Sequence, residues 1–193
     1  MSQTRTVAVL VGSLRKDSAS RKIAQALAAV APPNLAFRFV EIGDLAFFDQ
    51  DLEGAPPAPW TRFRDEVKSA DAVLFVTPEY NRSVPGALKN AIDVGSRPYG
   101  QSVYDRKPAA VISTSMGALG GFGANHHLRQ SLAFLNMATL AQPEAYIGNS
   151  LSLFDDKGEL VNENTAEFLR GFAQAFAAWI DQHLPQQPER AAA

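Results

Sequence analysis

Short apolar runs alternate along the chain with longer segments of helical period. Continuous β-prone stretches predict strands over 6–11, 36–41, 72–76, 108–114 and 139–146, the pattern of strands covered on both faces. Between and after them, apolar positions three and four residues apart predict helices over 20–31, 60–69, 85–94, 123–135 and 165–183. Ile23, Ala24, Leu27 and Val30 mark the inner stripe of the first helix, and Phe168, Phe172, Phe176 and Ile180 form a core stripe on the last. Strict alternation with right-handed crossovers builds an α/β fold, a parallel sheet with helices on both faces. In such folds ligands bind beyond the carboxyl ends of the strands, where the winding direction reverses.

Three strand-to-helix turns fall at those ends. The first, Gly12-Ser13-Leu14-Arg15-Lys16-Asp17-Ser18-Ala19-Ser20, is dense in hydroxyls and carries a guanidinium. A helix N-terminus offers unpaired N–H groups and partial positive charge, so Ser13, Ser18 and Ser20 beside Arg15 suit a phosphate monoester. On this turn alone, the alternative that Ser18 or Ser20 merely caps the helix stays open. Two other phosphate motifs are absent: the turn has one glycine rather than G-x-G-x-x-G, and Lys16 is followed by Asp17 rather than Ser or Thr. The second turn, Pro78-Glu79-Tyr80-Asn81-Arg82-Ser83-Val84-Pro85-Gly86, places Ser83 as a candidate N-cap and Pro85 early in the next helix. The third, Ser115-Met116-Gly117-Ala118-Leu119-Gly120-Gly121, is glycine-rich.

These turns carry a resemblance. Gly12-Ser13-Leu14-Arg15 matches a G-S-x-R phosphate loop, and residues 78–93 match P-E-Y-N-x-x-x-P-G-x-L-K-N-x-[IL]-D without a gap. Both patterns, with the glycine-rich third turn, resemble the NADPH-dependent FMN reductase family of the flavodoxin-like superfamily, most closely its bacterial chromate and quinone reductases. The resemblance runs from about Val7 to the last helix. It implies a three-layer α/β/α sandwich with a five-stranded parallel sheet of order 2-1-3-4-5, the order of flavodoxin itself.

Composition narrows the chemistry. A chain of 193 residues suits one well-buried domain, expected over 1–185 with a frayed tail at 186–193. A net charge of −2 with no basic block argues against a nucleic-acid surface. With no cysteine, redox chemistry must come from a bound cofactor. Residues 1–5 lead straight into the first strand without a signal-type apolar region, and no run is long enough to span a bilayer, so the expectation is a cytoplasmic protein free of membrane. Residues 49–59, with Pro56, Pro57 and Pro59, read as a stiff surface connection.

By the resemblance, the cofactor is FMN and the hydride donor NADPH or NADH. The FMN phosphate would lie in the loop of Ser13, Arg15, Ser18 and Ser20; the family commonly has Asn where this chain has Ser20. Pro78, Glu79, Tyr80 and Asn81 would run along one edge of the isoalloxazine, with backbone N–H groups meeting its heteroatoms. Ser115, Gly117, Gly120 and Gly121 would approach from the other side, and the positive end of the following helix would favour anionic reduced flavin. The implied reaction is ping-pong: hydride passes from nicotinamide to flavin N5, then the electrons go to a quinone, with chromate, free flavin or azo and nitro compounds as further acceptors. Arg82 is the candidate catalytic contact at the open flavin face, with a surface or subunit-interface role as its alternative. Two other classes stay open: a flavodoxin-like one-electron carrier, which usually wears a strongly acidic face, and a non-enzymatic FMN-binding regulator.

Other polar residues carry less. Adjacent His126 and His127 point in different directions on a helix and lack the spacing of a metal pair. Asp155-Asp156 before Gly158 lacks the alternating ligands of a calcium loop and reads as a solvated turn. The resemblance also implies a homodimer or homotetramer, with Arg129, Glu144 and Tyr146 in the region of the tetramer contact; related chromate reductases include a Tyr in the segment where His126 stands.

Overall fold

Alternation along each strand decides which side chains reach which layer. In the computed structural model, which describes residues 4–184, β1 (Arg5–Val11), β3 (Ala72–Pro78) and β4 (Pro108–Thr114) form the centre of the sheet. Val7, Val9, Leu74, Val76, Ala110 and Ile112 point to one face, where α1 (Ala19–Val30) and α5 (Glu163–His183) cover them. Ala8, Leu10, Val73, Phe75, Ala109 and Val111 point to the other, under α2 (Ala58–Lys68), α3 (Gly86–Gly95) and α4 (Phe122–Phe134). Phe172, Phe176 and Ile180 of the predicted stripe are buried in α5, each worth about 1.5–3 kcal/mol over its exposed state. Phe168 is partly buried beside them.

All strand pairs are parallel, in the order β2-β1-β3-β4-β5, with β2 at Leu35–Phe39. The expected fifth strand is split in two. β5 (Ala138–Thr139) pairs with the start of β4, and β6 (Ala145–Ile147) pairs with its end. Pro143, between them, has no N–H to give to a ladder. The sheet therefore has six strands in five positions, within a flavodoxin-like parallel α/β architecture.

Helix starts follow their caps. Ser18 accepts from the Arg21 N–H at 3.2 Å, so α1 opens one residue before the sequence expectation. Asn162 accepts from the Thr165 N–H at 2.9 Å, opening α5 two residues early. The cap position of α3 is Pro85; Ser83 instead closes a turn on Tyr80. The connection after β2 holds a 3-10 turn at Gln50–Leu52 that has no apolar signature. Buried Asn90 pins this connection: its side chain accepts from the Phe48 N–H at 2.8 Å and donates to the carbonyls of Leu45 and Ala46, each at 3.1 Å. The tail expected at 186–193 lies outside the described residues.

Candidate active site

The carboxyl ends of β1, β3 and β4 open onto one cleft of about 280 Å³. Its phosphate-type end is built by the entry to α1. The first helical bond of α1 runs from the Lys22 N–H to Ser18 O at 3.0 Å, which leaves the Ala19 and Ser20 amides outside the ladder, on two residues that line the cleft. Ser13 accepts from the Arg15 N–H at 3.4 Å. Ser18 is both cap and cleft residue: its oxygen accepts from Arg21, and its hydroxyl proton remains free to donate. Asp17 is taken by Lys22 at 2.5 Å, and that contact holds its carboxyl below the usual range. Arg15, exposed on the cleft wall, has no carboxylate partner among the described residues.

The second wall comes from the end of β3. Pro78, Glu79 and Tyr80 line the cleft. The Tyr80 N–H donates to Ser83 O at 2.9 Å and the Ser83 N–H to Tyr80 O at 3.0 Å. Between them Asn81 and Arg82 adopt φ of 51° and 63°, both in the left-handed region that such a two-residue turn requires. Neither lines the cleft. Arg82 points its guanidinium at Glu79 across 2.9 Å, with three quarters of its side chain exposed. The second Glu79 oxygen accepts from the Ala124 N–H at 2.9 Å, in the first turn of α4. Glu79 therefore ties the second turn to the helix after the third, and it is paired within its own chain. A Cβ on Gly123 would stand 2.9 Å from that carboxylate, so glycine makes room for it.

The third turn divides in two. Ser115 and Gly117 line the cleft, and nothing lies within 4 Å of where a Cβ on Gly117 would stand. Gly120 and Gly121 do not line it. At φ of 60° and 75°, they bring the turn against the sheet: a Cβ on Gly120 would stand 2.4 Å from the Tyr146 carbonyl carbon. The glycines at these two positions make room for the protein's own backbone. The turn is strapped down further by the Ser115 N–H on Ile147 O and the Ser150 N–H on Ser115 O, each at 3.1 Å.

Four cleft residues escaped the sequence reading: Ala19, Thr114, Met116 and Ser150. Ala19 and Met116 sat inside the motif turns, flanked by residues already chosen. Ser150 lies beyond β6 in a 3-10 turn at Ser150–Ser152, where no motif marks it. His126 and His127 diverge as expected. His126 Nε2 lies 3.0 Å from the Tyr146 hydroxyl, and His127 Nδ1 lies 2.7 Å from Ser83 Oγ. Burial, with Glu144 beside it, pushes the Tyr146 hydroxyl up to about 12. Arg129 is held within the chain, donating to Asn125 Oδ1 and Leu140 O, each at 2.9 Å. Asp155 accepts from the Lys157 and Glu159 amides in an exposed turn.

Residues 5–152 match the family model described as NADPH-dependent FMN reductase. A quinone reductase of Pseudomonas putida is 61% identical over 181 residues, covering 93% of this chain and 97% of the relative. A 2-hydroxy-1,4-benzoquinone reductase of Burkholderia sp is 47% identical over 174 residues, covering 90% and 95%. Among solved structures, the flavoenzyme NAD(P)H:(acceptor) oxidoreductase FerB of Paracoccus denitrificans superposes with a TM-score of 0.88 at 44% identity, covering 93% of this chain and 99% of that one. The chain belongs to the NADPH-dependent FMN reductase family, as an oxidoreductase that works with FMN and NAD(P)H.

Proposed function

We propose that in this NAD(P)H-dependent quinone reductase the cleft at the ends of β1, β3 and β4 holds the FMN, its phosphate at the entry to α1. The observation that carries this reading is the donor set there: the Ser13, Ser18 and Ser20 hydroxyls, the free amides at the start of α1, and an Arg15 that forms no ion pair with a carboxylate among the described residues. When bound, FMN supplies the two-electron chemistry, taking hydride from a nicotinamide and returning the electrons to a quinone. Pro78, Glu79 and Tyr80 flank the ring on one side, and Ser115 and Gly117 on the other. Asn81, Gly120 and Gly121 shape those walls from behind, through their left-handed backbone. Arg82, held by Glu79 beside the cleft, attracts anionic acceptors or a nicotinamide phosphate to its mouth. The α4 N-terminus adds positive potential, partly offset by the Glu79 carboxylate.

The same reading extends to acceptor range and assembly. Chromate, free flavins and azo or nitro compounds fit an open cleft whose acceptor contact is an exposed, paired Arg82 at its mouth. One domain, a cytoplasmic setting and self-association complete it; no helix among the described residues is long and apolar enough to cross a membrane. A groove of about 370 Å³ between α3 and α4, lined by Ile92, His127 and Leu135 beside an exposed Phe134, supports a homodimer. Glu144, Tyr146 and Thr165 line a shallower surface that suits the dimer-to-dimer contact of a tetramer.

Anaerobic stopped-flow tests the reading. FMN-loaded protein mixed with NADPH should lose its visible flavin absorbance rapidly, and regain it on addition of a benzoquinone. Flavin that binds but keeps its colour with both NADPH and NADH would contradict it.

A further inference from the structure

Beyond the phosphate-type end of the cleft lies a second cavity, of about 490 Å³. That is within the range of about 300–1,000 Å³ typical of small-molecule sites. The two spaces share Arg15, Ala19, Met116 and Ser150, so two residues of the phosphate turn, Arg15 and Ala19, stand with Met116 and Ser150 in the partition between them. A group attached to that phosphate on its far side has a direct way past Arg15 into this cavity.

The cavity offers three kinds of surface. Arg15 supplies a cation, and Lys22 supplies a second that is paired with Asp17 and stands 5.7 Å from the centre of the Phe154 ring. Phe154, packed against the core below α1 and α5, and Leu151, 75% exposed, supply the cavity's apolar surface. Asp155 and Asp156 supply carboxylates. Both Asp155 amide bonds go to the same oxygen, Oδ1, which fixes the turn that carries the pair. Carboxylates that accept from vicinal hydroxyls, beside a base platform and phosphate-binding cations, are the elements of ribonucleotide recognition. Three acidic residues against two basic ones disfavour a free inorganic anion and call for a ligand with donors of its own.

We infer that this second cavity is an adenylate subsite. It takes the adenosine phosphate of a dinucleotide whose other half lies in the cleft, and this rests on the cleft being the FMN site. Two ligands carry that group. In flavin adenine dinucleotide the adenylate is joined at the phosphate that the Arg15 loop binds, so the cavity lets the protein hold FAD as well as FMN. In NADH or NADPH it hangs from the hydride donor.

The test is calorimetric titration of flavin-stripped full-length protein with FMN and with FAD, in the parent and in Leu151→Glu, which puts a carboxylate into the second cavity at an exposed position outside the cleft. Michaelis constants of the FMN-loaded proteins for NADH and NADPH are measured alongside. In the parent, FAD should bind within about threefold of FMN, and Leu151→Glu should weaken FAD about tenfold or more while FMN stays within about twofold. A Michaelis constant that rises while FAD affinity holds assigns the same subsite to the nicotinamide dinucleotide. FAD binding far weaker than FMN, with Leu151→Glu silent in every titration and Michaelis constant, would overturn the subsite. If FMN itself failed to bind the parent, the cleft assignment beneath it would fall instead.

Discussion

The two ends of the cleft are built by opposite means. At the phosphate-type end the side-chain hydrogen bonds and the ion pair are local: Ser13 to Arg15, Ser18 to Arg21 and Asp17 to Lys22, within five residues of one another. At the ring-type end the walls are interlocked across the fold. Glu79 reaches Ala124, 45 residues away, Ser115 is strapped to Ile147 and Ser150, and Gly120 is seated on Tyr146. A local turn can be altered with little effect on the sheet, so its residues are free to serve a ligand. Interlocked walls transmit a change into stability, and they hold their spacing only while every tie is present.

Substitutions can break this contrast. Gly120→Ala should be the most damaging, because its Cβ would stand 2.4 Å from the Tyr146 carbonyl carbon at a φ of 60°. We expect a loss of about 3 kcal/mol in urea unfolding, with flavin retention lost in parallel. A cost below about 0.5 kcal/mol would mean that the third turn is not seated on β6. Glu79→Ala should cost about 2 kcal/mol, through the unpartnered Ala124 amide and the released Arg82, whereas Glu79→Gln keeps an acceptor and should recover more than half of that. Ser18→Ala sharpens the other side of the contrast. It should lose about 1 kcal/mol as a helix cap, and also weaken FMN binding, which a cap alone would not do.

The smallest expected effect is a pH dependence at the edge of the interlocked half. Folding raises the Tyr146 hydroxyl from 10.0 to about 12. Its contribution is complete below about pH 10 and is lost as pH rises toward about 12. In chemical unfolding across that window, Tyr146→Phe should lose less stability than the parent. Equal losses would show that Tyr146 ionises as readily folded as unfolded.

The same contrast explains what could be read from the chain in advance. Element type, layer assignment and the α5 stripe follow from periodicity, which burial imposes on every residue of an element, whereas strand order came with the family resemblance. The Arg15 loop was legible because its cap, its hydroxyls and its cation are neighbours in sequence. The ring-type end was legible only as a list of residue types. Glycines look alike whether they make room for a ligand, as the open surroundings of Gly117 allow, or for backbone, as Gly120 and Gly121 do. Ser83 carries a cap residue's chemistry, yet the left-handed turn at Asn81 and Arg82 draws it back to Tyr80. Ser150 reaches the cleft from just beyond β6, which ends beside β4 in a pairing that no local motif marks. Glu79 shows the limit most clearly, since its acidic side chain was visible and its partner in α4 was not.

The central claim is that the α1 entry holds the FMN phosphate, and the measurement that tests it most directly is a fluorescence titration of flavin-stripped parent and Arg15→Ala with FMN. Loss of a charge-assisted contact worth about 1.5–3 kcal/mol should raise the dissociation constant about ten- to a hundredfold, with the thermal midpoint of the apo-protein unchanged because Arg15 is exposed and pairs with no carboxylate among the described residues. An unchanged dissociation constant would contradict the account.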